Sequence, residues 1–520
     1  MTKHNTSSPT TPSRGTVFYL VISFIGAFWA VYYYNTVPDF ADAYYHLNGA
    51  ISLVQGGGFV DDYLWTYIGA TDALPAPSHL YWMPGTSVIV AGGLGVFGVS
   101  YSAAQVGLAL CLWGAMVLAY WLGWHYGNGA RHAWMAGTLT LFAGFFTDTW
   151  GQTDTFAPYA FFGALALVLM ARGITAEKHN ALYWVLAGAF SAVGHLIRSD
   201  GLLLLLVGWS VLIWFFERTR YRQRLLWLIP FTLAYLVVMS PWFVRNMDAV
   251  GRILPVGGTM NAYFTEYNDL FNYPPDSTLD DLLAEGGSAL IETRSRALFS
   301  VNGIPLQAIA YQGTIAFFPF VILALWRRRS EAFVRPFWIF AVGIHLAFAL
   351  VFPEAGMRGG FWHATAALVP IWAVIGLLGL DDTISWVASF RRTWNPKLAQ
   401  PILSGGFLLI VIALTVQVSE RTITPDDSVA LALREAIPAH ARIMVNDPAK
   451  YHYFADFTGV TIPNETIDVA LEIARRYDID YLLLEDNFMT EPIQFDTLPD
   501  FLTPIEFDVT GARLYAFDRD

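Results

Sequence analysis

The sequence predicts a mainly α, polytopic membrane protein with one small α/β domain at its C-terminal end. Of its 520 residues, 55% are hydrophobic and only 14% charged, where a soluble chain carries about 25% charged residues. Uncharged apolar runs recur from residue 16 to residue 418, and many are long enough to cross a bilayer core of about 30 Å. From 419 onward those runs stop, and helix-like and strand-like segments alternate up to residue 520.

Residues 1–15 are polar and are expected to form a cytoplasmic tail. Residues 15–38 contain no Asp, Glu, Lys or Arg. This run exceeds a signal-peptide core and lacks a clear small-residue cleavage site, so a retained helix is expected. Eleven spans follow from the apolar runs, at 16–36, 103–124, 133–148, 156–172, 181–197, 201–216, 225–243, 305–326, 336–352, 363–380 and 402–418. Residues 85–99 are apolar but Gly-rich and short, and are expected to lie at the membrane surface or re-enter it.

Charge orients this arrangement. With the N-terminus inside, 16 of the 30 Lys and Arg fall in short cytoplasmic segments, including Arg131, Arg172, Arg218, Arg220, Arg327, Arg328, Arg329 and Arg335. The first outer loop, 37–102, has none, but carries Asp39, Asp42, Asp61, Asp62 and Asp72. That asymmetry is the positive-inside pattern of a plasma membrane protein. It places the acidic loop and the C-terminal domain, 419–520, outside the cytoplasm, with the membrane domain spanning 16–418. In the C-terminal domain DDSVALALREAIP and TIDVALEIARRY read as helices, ARIMVND as extended and IDYLLLED as a buried strand.

Composition also excludes some functions. A net charge of −12 argues against nucleic acid, which needs a concentrated basic surface. The single cysteine, Cys111, permits neither an intrachain disulfide nor a cysteine metal cluster.

The stretch PDFADAYYHLNGAISLVQGGGF, residues 38–59, holds the most chemistry. It presents Asp39 and Asp42 just beyond the first span. On a helix Asp42, His46 and Gly49 share one face, while Leu47, Ile51 and Val54 form another, apolar face. Two readings are open: an interfacial amphipathic helix with Asp39 or Asp42 as its N-cap, or a carboxylate held ready at the membrane surface.

The pattern D-x-Y-Y-x-L-x-x-A-x-x-L-x-x-G-x-G-F from Asp42, then YWMPG and FGVSYSAAQ, resembles the first external region of the GT-C glycosyltransferases. More narrowly it is similar to bacterial members of the protein mannosyltransferase and aminoarabinose transferase superfamily, the family 39-like enzymes. HLIRSDGLLLLL at 195–206, PWFVRNMDAVGRILP at 241–255 and FWHATAALVPIWA at 361–373 follow in the same order. The resemblance implies a sugar transferase of the cell envelope that takes its sugar from a polyprenyl-phosphate carrier. Asp42 matches the loop acid that serves such enzymes as catalytic base. Many relatives carry a second acid directly after it; here Ala43 follows, and Asp39 is the substitute.

The implied chemistry needs one base, because phosphate already leaves well. It also needs donors for the leaving phosphate. Arg245, Arg358 and His363 lie in or beside outer loops and are the expected phosphate-binding set. His46, His79, Tyr81 and Asp154 are expected to position substrate. Asp154 could instead join Asp42 on a divalent metal, but mannosyltransferase-like members of the class generally use none, so no cofactor is expected. Arg198 and Asp200 read as a mutually neutralising pair, and His195 and His345 as packing histidines. The acceptor could be a protein, lipid or glycan hydroxyl. A transporter would place its charges at mid-membrane; that reading and a noncatalytic envelope-assembly role are the alternatives.

Overall fold

The computed structural model describes residues 14–519, apart from 70, 177, 214–220, 256, 302–303, 306–317, 392, 487–492, 494 and 496. The expected tail, Arg218 and Arg220 therefore fall largely or wholly outside the described residues. Helices dominate, as expected for a polytopic membrane protein. Among the described residues, eight helices are long and apolar enough to cross a membrane.

The chain begins with α1 (Arg14–Tyr34) and α2 (Ala41–Gln55), followed by the short α3 (Gly85–Phe97) and the long α4 (Tyr101–His125). Next come α5 (Ala130–Leu141), α6 (Phe156–Thr175), α7 (Asn180–Ile197), α8 (Leu202–Ile213) and α9 (Tyr221–Val250). Later helices include Phe318–Arg328, Arg335–Leu346, Val369–Phe390 and Pro396–Val418. Eight of the eleven expected spans coincide with the eight long apolar helices.

The other three differ for identifiable reasons. The span expected at 133–148 is a helix of only 12 residues, because the backbone leaves helical geometry at Phe142 (φ −95°, ψ 71°). The span at 201–216 is described only as far as Ile213, and most of the first half of 305–326 lies outside the described residues. Within the 85–99 segment Gly85–Phe97 forms a 13-residue apolar helix, shorter than the eight long ones.

The loops after α1, α5, α7 and α9 are linked at one end of the bundle, where Gln152 bonds Asn35, Arg198 bonds Thr155 and Asn261 bonds Tyr81. The other end is tied by charge. Asp381 accepts hydrogen bonds from Asn128, Arg131 and His132, and Asp382 pairs with Arg328 at 2.5 Å. Close helix contacts depend on small residues: a Cβ on Gly188 of α7 would sit 2.0 Å from the Phe231 carbonyl of α9.

The C-terminal domain is α/β, as expected. Its six-stranded sheet has the order Tyr63–Leu64, Thr458–Thr461, Arg442–Val445, Tyr481–Glu485, Ala512–Phe517, Leu502–Ile505. The first four are parallel, and the last two add antiparallel. Helices Pro448–Ala455 and Ile467–Tyr477 connect the parallel strands. The edge strand Tyr63–Leu64 comes from the first outer loop, with Tyr63 opposite Gly459. A second tie joins the Thr422 N–H to the Tyr34 carbonyl at 2.8 Å, which returns the chain beside the end of α1.

Candidate active site

α2 starts after Phe40, whose extended backbone (φ −144°, ψ 165°) makes it the N-cap without a side-chain bond. Neither Asp39 nor Asp42 caps the helix, so the capping alternative is not what is observed. Asp42 lies in the first turn, and Gly56 ends the helix in the left-handed region (φ 88°). Leu47 is buried, and Ile51 and Val54 pack beside it, as the apolar face requires.

The loop 147–155 brings a second acid to α2. Gln105 Nε2 donates to the carbonyls of Asn35 (2.7 Å) and Gly151 (3.0 Å). Gln152 Nε2 donates to Asn35 Oδ1 at 2.6 Å. Thr153 Oγ1 then donates to the Ala43 carbonyl at 2.7 Å, one residue from Asp42 on α2 and one from Asp154 on the loop. Thr153→Val removes this bond and is expected to lower Tm by about one degree, since a buried hydrogen bond contributes about 1 kcal/mol; thermal unfolding of the purified protein measures it.

The third group arrives from the Gly-rich turn Gly356–Gly360, where Gly359 takes φ 124°. That bend leads into Phe361–Thr365 and points His363 at the two acids. His363 Nε2 lies 2.7 Å from Asp154 Oδ2 and 3.8 Å from Asp42 Oδ2. Its Nδ1 lies 2.8 Å from the Gly359 carbonyl. Both ring nitrogens thus face acceptors, which an imidazolium carrying both protons satisfies. Asp154 has no exposed side-chain surface, while Asp42 keeps 28% exposed. Asp42 is the member of the cluster a substrate can reach.

The two carboxyls are driven apart. Burial raises Asp42, the charge of Asp154 raises it further, and His363 and Arg198 only partly offset this, leaving it pushed up to about 7. Burial also acts upward on Asp154, but the charge and hydrogen bond of His363, and the Thr155 N–H at 2.5 Å, bring it down to about 2. The ionised form is therefore favoured at Asp154, while burial and the neighbouring charge make Asp42 the stronger proton acceptor of the two.

No family model matches the sequence, and no curated protein matches it. Solved structures do match in shape. The archaeal oligosaccharyltransferase AglB of Archaeoglobus fulgidus, in complex with an inhibitory peptide and a dolichol-phosphate, gives a TM-score of 0.61 at 12% identity, covering 90% of this chain and 69% of that one. ArnT from Cupriavidus metallidurans, bound to undecaprenyl phosphate, gives 0.59 at 12% identity and covers 96% of this chain and 97% of that one. The Archaeoglobus fulgidus oligosaccharyltransferase in complex with Zn and sulfate gives 0.59 at 14%, covering 90% and 68%. The chain has the GT-C fold.

Within this GT-C fold the expected site residues separate. Asp42, Asp154 and His363 meet, with ligand atoms within 4.8 Å of one another. Asp39 does not join them: it is exposed, its N–H donates to Gln152 Oε1 and its carboxylate accepts from Thr422 Oγ1 at 3.3 Å. Arg245 turns to the loop backbone instead, donating to the carbonyls of Phe59 (2.9 Å) and Ser78 (2.7 Å) and lying over Trp242. Arg358 stacks 4.5 Å over Tyr267, a phenol within the electrostatic reach of Asp42.

His46 on α2 and His79 in the following loop are both fully buried and share Ser87 Oγ, at 3.1 and 2.9 Å. Burial holds both imidazoles below their usual range. They brace the loop from within. A Cβ on Gly49 would meet His79 Cε1 at 2.9 Å, so Gly49→Ala is expected to destabilise by about 1–3 kcal/mol through overpacking, seen as a lowered Tm. Tyr81 accepts from Asn261 Nδ2 at 3.3 Å and feels the charge of Asp42.

Arg198 is the residue that sequence reasoning undervalued. It does pair with Asp200, at 2.9 and 3.1 Å. It also donates to Thr155 Oγ1 (3.1 Å) and to the Gly360 carbonyl (3.2 Å), and its charge acts on both Asp42 and Asp154. Its position directly after a span was the available signal; the adjacent acid masked it. His195 and His345 are packing histidines as read, bonded to Tyr235 Oη and to the Leu298 carbonyl.

Proposed function

We propose that this protein is an integral-membrane glycosyltransferase that moves a sugar from a polyprenyl-phosphate carrier to an acceptor hydroxyl on the extracytoplasmic face. The observation that carries the proposal is the pair of unequal acids: Asp42, reachable and poised near neutrality, beside buried, ionised Asp154 locked to His363. The shape shared with AglB and ArnT, whose structures hold dolichol-phosphate and undecaprenyl phosphate, supports the choice of donor. The outer placement rests on the Arg-rich opposite end of the bundle.

In this mechanism Asp42 takes the proton of the acceptor hydroxyl as its oxygen attacks the anomeric carbon. The bond from that carbon to the phosphate oxygen breaks on the opposite face, and the electron pair leaves with the polyprenyl phosphate. A single displacement inverts the configuration. Asp154 and His363 fix the geometry and charge around Asp42. Arg358 and Arg198 supply positive potential for the departing phosphate, and Arg245 holds the outer loop in place. Asp42 then releases its proton to water.

Activity should follow the ionisation of Asp42. Because its carboxyl is raised to about 7, kcat/KM is expected to climb about tenfold per pH unit below that value and level off above it. The same sign rule makes Asp154→Asn, which removes the charge that raises Asp42, move the acidic limb to lower pH. A pH–rate series on both proteins checks this. The proposal itself is tested with radiolabelled polyprenyl-phosphate monosaccharides and the purified protein: label must pass to an acceptor with the donor's anomeric configuration inverted. Absence of transfer across a panel of sugars and acceptors would sink it.

A second reading of the cluster has specific support. Two carboxylates and an imidazole within 4.8 Å can hold a divalent cation, and the Archaeoglobus fulgidus oligosaccharyltransferase was solved in complex with Zn. Asp42, Asp154 and His363 would hold it, and bound metal would supply Lewis-acid charge. The two acceptors facing His363 favour a proton in that place. Activity that survives EDTA supports the proton reading; loss restored by added metal supports the cation.

A further inference from the structure

A hollow of about 30 Å³ opens in the first outer loop, on the far side of Tyr81. Its walls include Tyr45, Tyr63, Trp65, Tyr81 and Trp82, and its polar group is Asp61. The rings crowd together, with Trp65 and Trp82 4.1 Å apart and Tyr45 and Trp82 4.5 Å apart between centroids. Asp61 is only 7% exposed. Its Oδ2 accepts from Tyr45 Oη at 2.7 Å, and Tyr45 is steadied by the His79 N–H at 2.6 Å. Among the described residues, Asp61 has no other hydrogen bond and no ion pair.

Asp61 lines the hollow and its second carboxylate oxygen is not closed off from solvent, so that oxygen is open to a hydroxyl that enters. We propose that this hollow seats a hydroxymethyl-sized arm of the transferred sugar, with Asp61 accepting its hydroxyl and the aromatic rings covering its carbon face. The proposal rests on the transferase reading and locates the sugar within it.

Size, charge and position agree. The space holds about two water-sized groups, too little for a sugar ring but enough for one substituent. Apolar walls with one placed acceptor are the usual make-up of a specific small-molecule site. An aromatic cage alone would also suit an ammonium group. The Arg245 guanidinium, however, is close enough to act on Asp61, which disfavours a second cation and favours a neutral hydroxyl. Burial pushes Asp61 up to about 7, with Tyr45 and Arg245 acting the other way; either protonation state can accept from a hydroxyl. Tyr81 forms a wall of the hollow and is within electrostatic reach of Asp42, which ties one side of the hollow to the acid cluster.

The test compares polyprenyl-phosphate hexoses of gluco, galacto and manno configuration with their 6-deoxy counterparts, using the full-length protein in nanodiscs. The wild type should lose roughly 100-fold in kcat/KM with the 6-deoxy donor, since a site built to bind a hydroxyl rejects its absence strongly. In Asp61→Asn that discrimination should fall below roughly tenfold. Equal use of both donors by the wild type overturns the proposal. Saturation-transfer NMR with methyl hexosides gives an independent arm: the C6 protons should receive the strongest saturation, weakened in Tyr45→Phe, which removes the hydroxyl that holds Asp61 Oδ2 and serves should Asp61→Asn fail to fold. Strong C6 saturation without any transfer would retain the sugar subsite while removing the transferase reading. Uniform saturation around the ring, or none, overturns the subsite.

Discussion

Asp42→Asn is expected to lower sugar transfer by at least about 10³-fold while leaving the protein folded and membrane-inserted, because general-base removal forfeits about 10²–10⁴ in rate. The substitution keeps the shape of a side chain that retains 28% of its surface exposed and makes its nearest polar approach at 3.8 Å to His363. It removes the one reachable group able to take the acceptor proton. Gel filtration and thermal unfolding would report an intact protein, and Asp39→Asn, on the exposed rim, should retain near-normal rates. An active Asp42→Asn enzyme would move the base elsewhere. A scaffold or binding role would survive the change entirely, so the same variant separates enzyme from assembly protein.

Arg198→Ala should cost roughly 10²–10³ in kcat/KM, the range seen when a donor that stabilises developing charge is removed. This guanidinium joins Thr155, next to Asp154, to the Gly360 carbonyl on the turn that presents His363. Its loss loosens both segments at once. It also lowers Asp42 electrostatically, so without it Asp42 rises and the acidic limb of the pH profile moves to higher pH. Arg198→Lys keeps the charge but not the planar fork. That variant should return the pH limb towards its original place and recover only part of the rate. A purely structural Arg198 would leave the limb unmoved in both.

The helical membrane architecture was legible because apolar runs and loop charge are properties of composition, readable without contacts. The α2 helix was legible from the spacing of Leu47, Ile51 and Val54 and from the glycines that stop it. Asp42 was found through the motif around it, and Asp154 and His363 by their places near the outer ends of spans. That these three converge was not readable. Their meeting depends on the Gln105–Asn35 and Asn35–Gln152 bonds, between residues 70 and 117 positions apart, and on the bend at Gly359. Arg198 was passed over because an arginine beside an aspartate already looks satisfied, and sequence does not show the further donors of a guanidinium. The Asp61 hollow was equally hidden, since VDDYLW reads as an ordinary acidic turn.

The two-residue strand Tyr63–Leu64 has a mechanical consequence. By adding itself to the edge of the terminal sheet beside Thr458–Thr461, it makes the appendage a keystone for the loop that follows α2. Asn48, two residues past His46 on the helix that bears Asp42, donates to the Ala449 carbonyl at 2.8 Å, so the same body braces that helix directly. A chain cut after residue 418 would therefore loosen the loop and the helix that present Asp42 along with losing its terminal sheet.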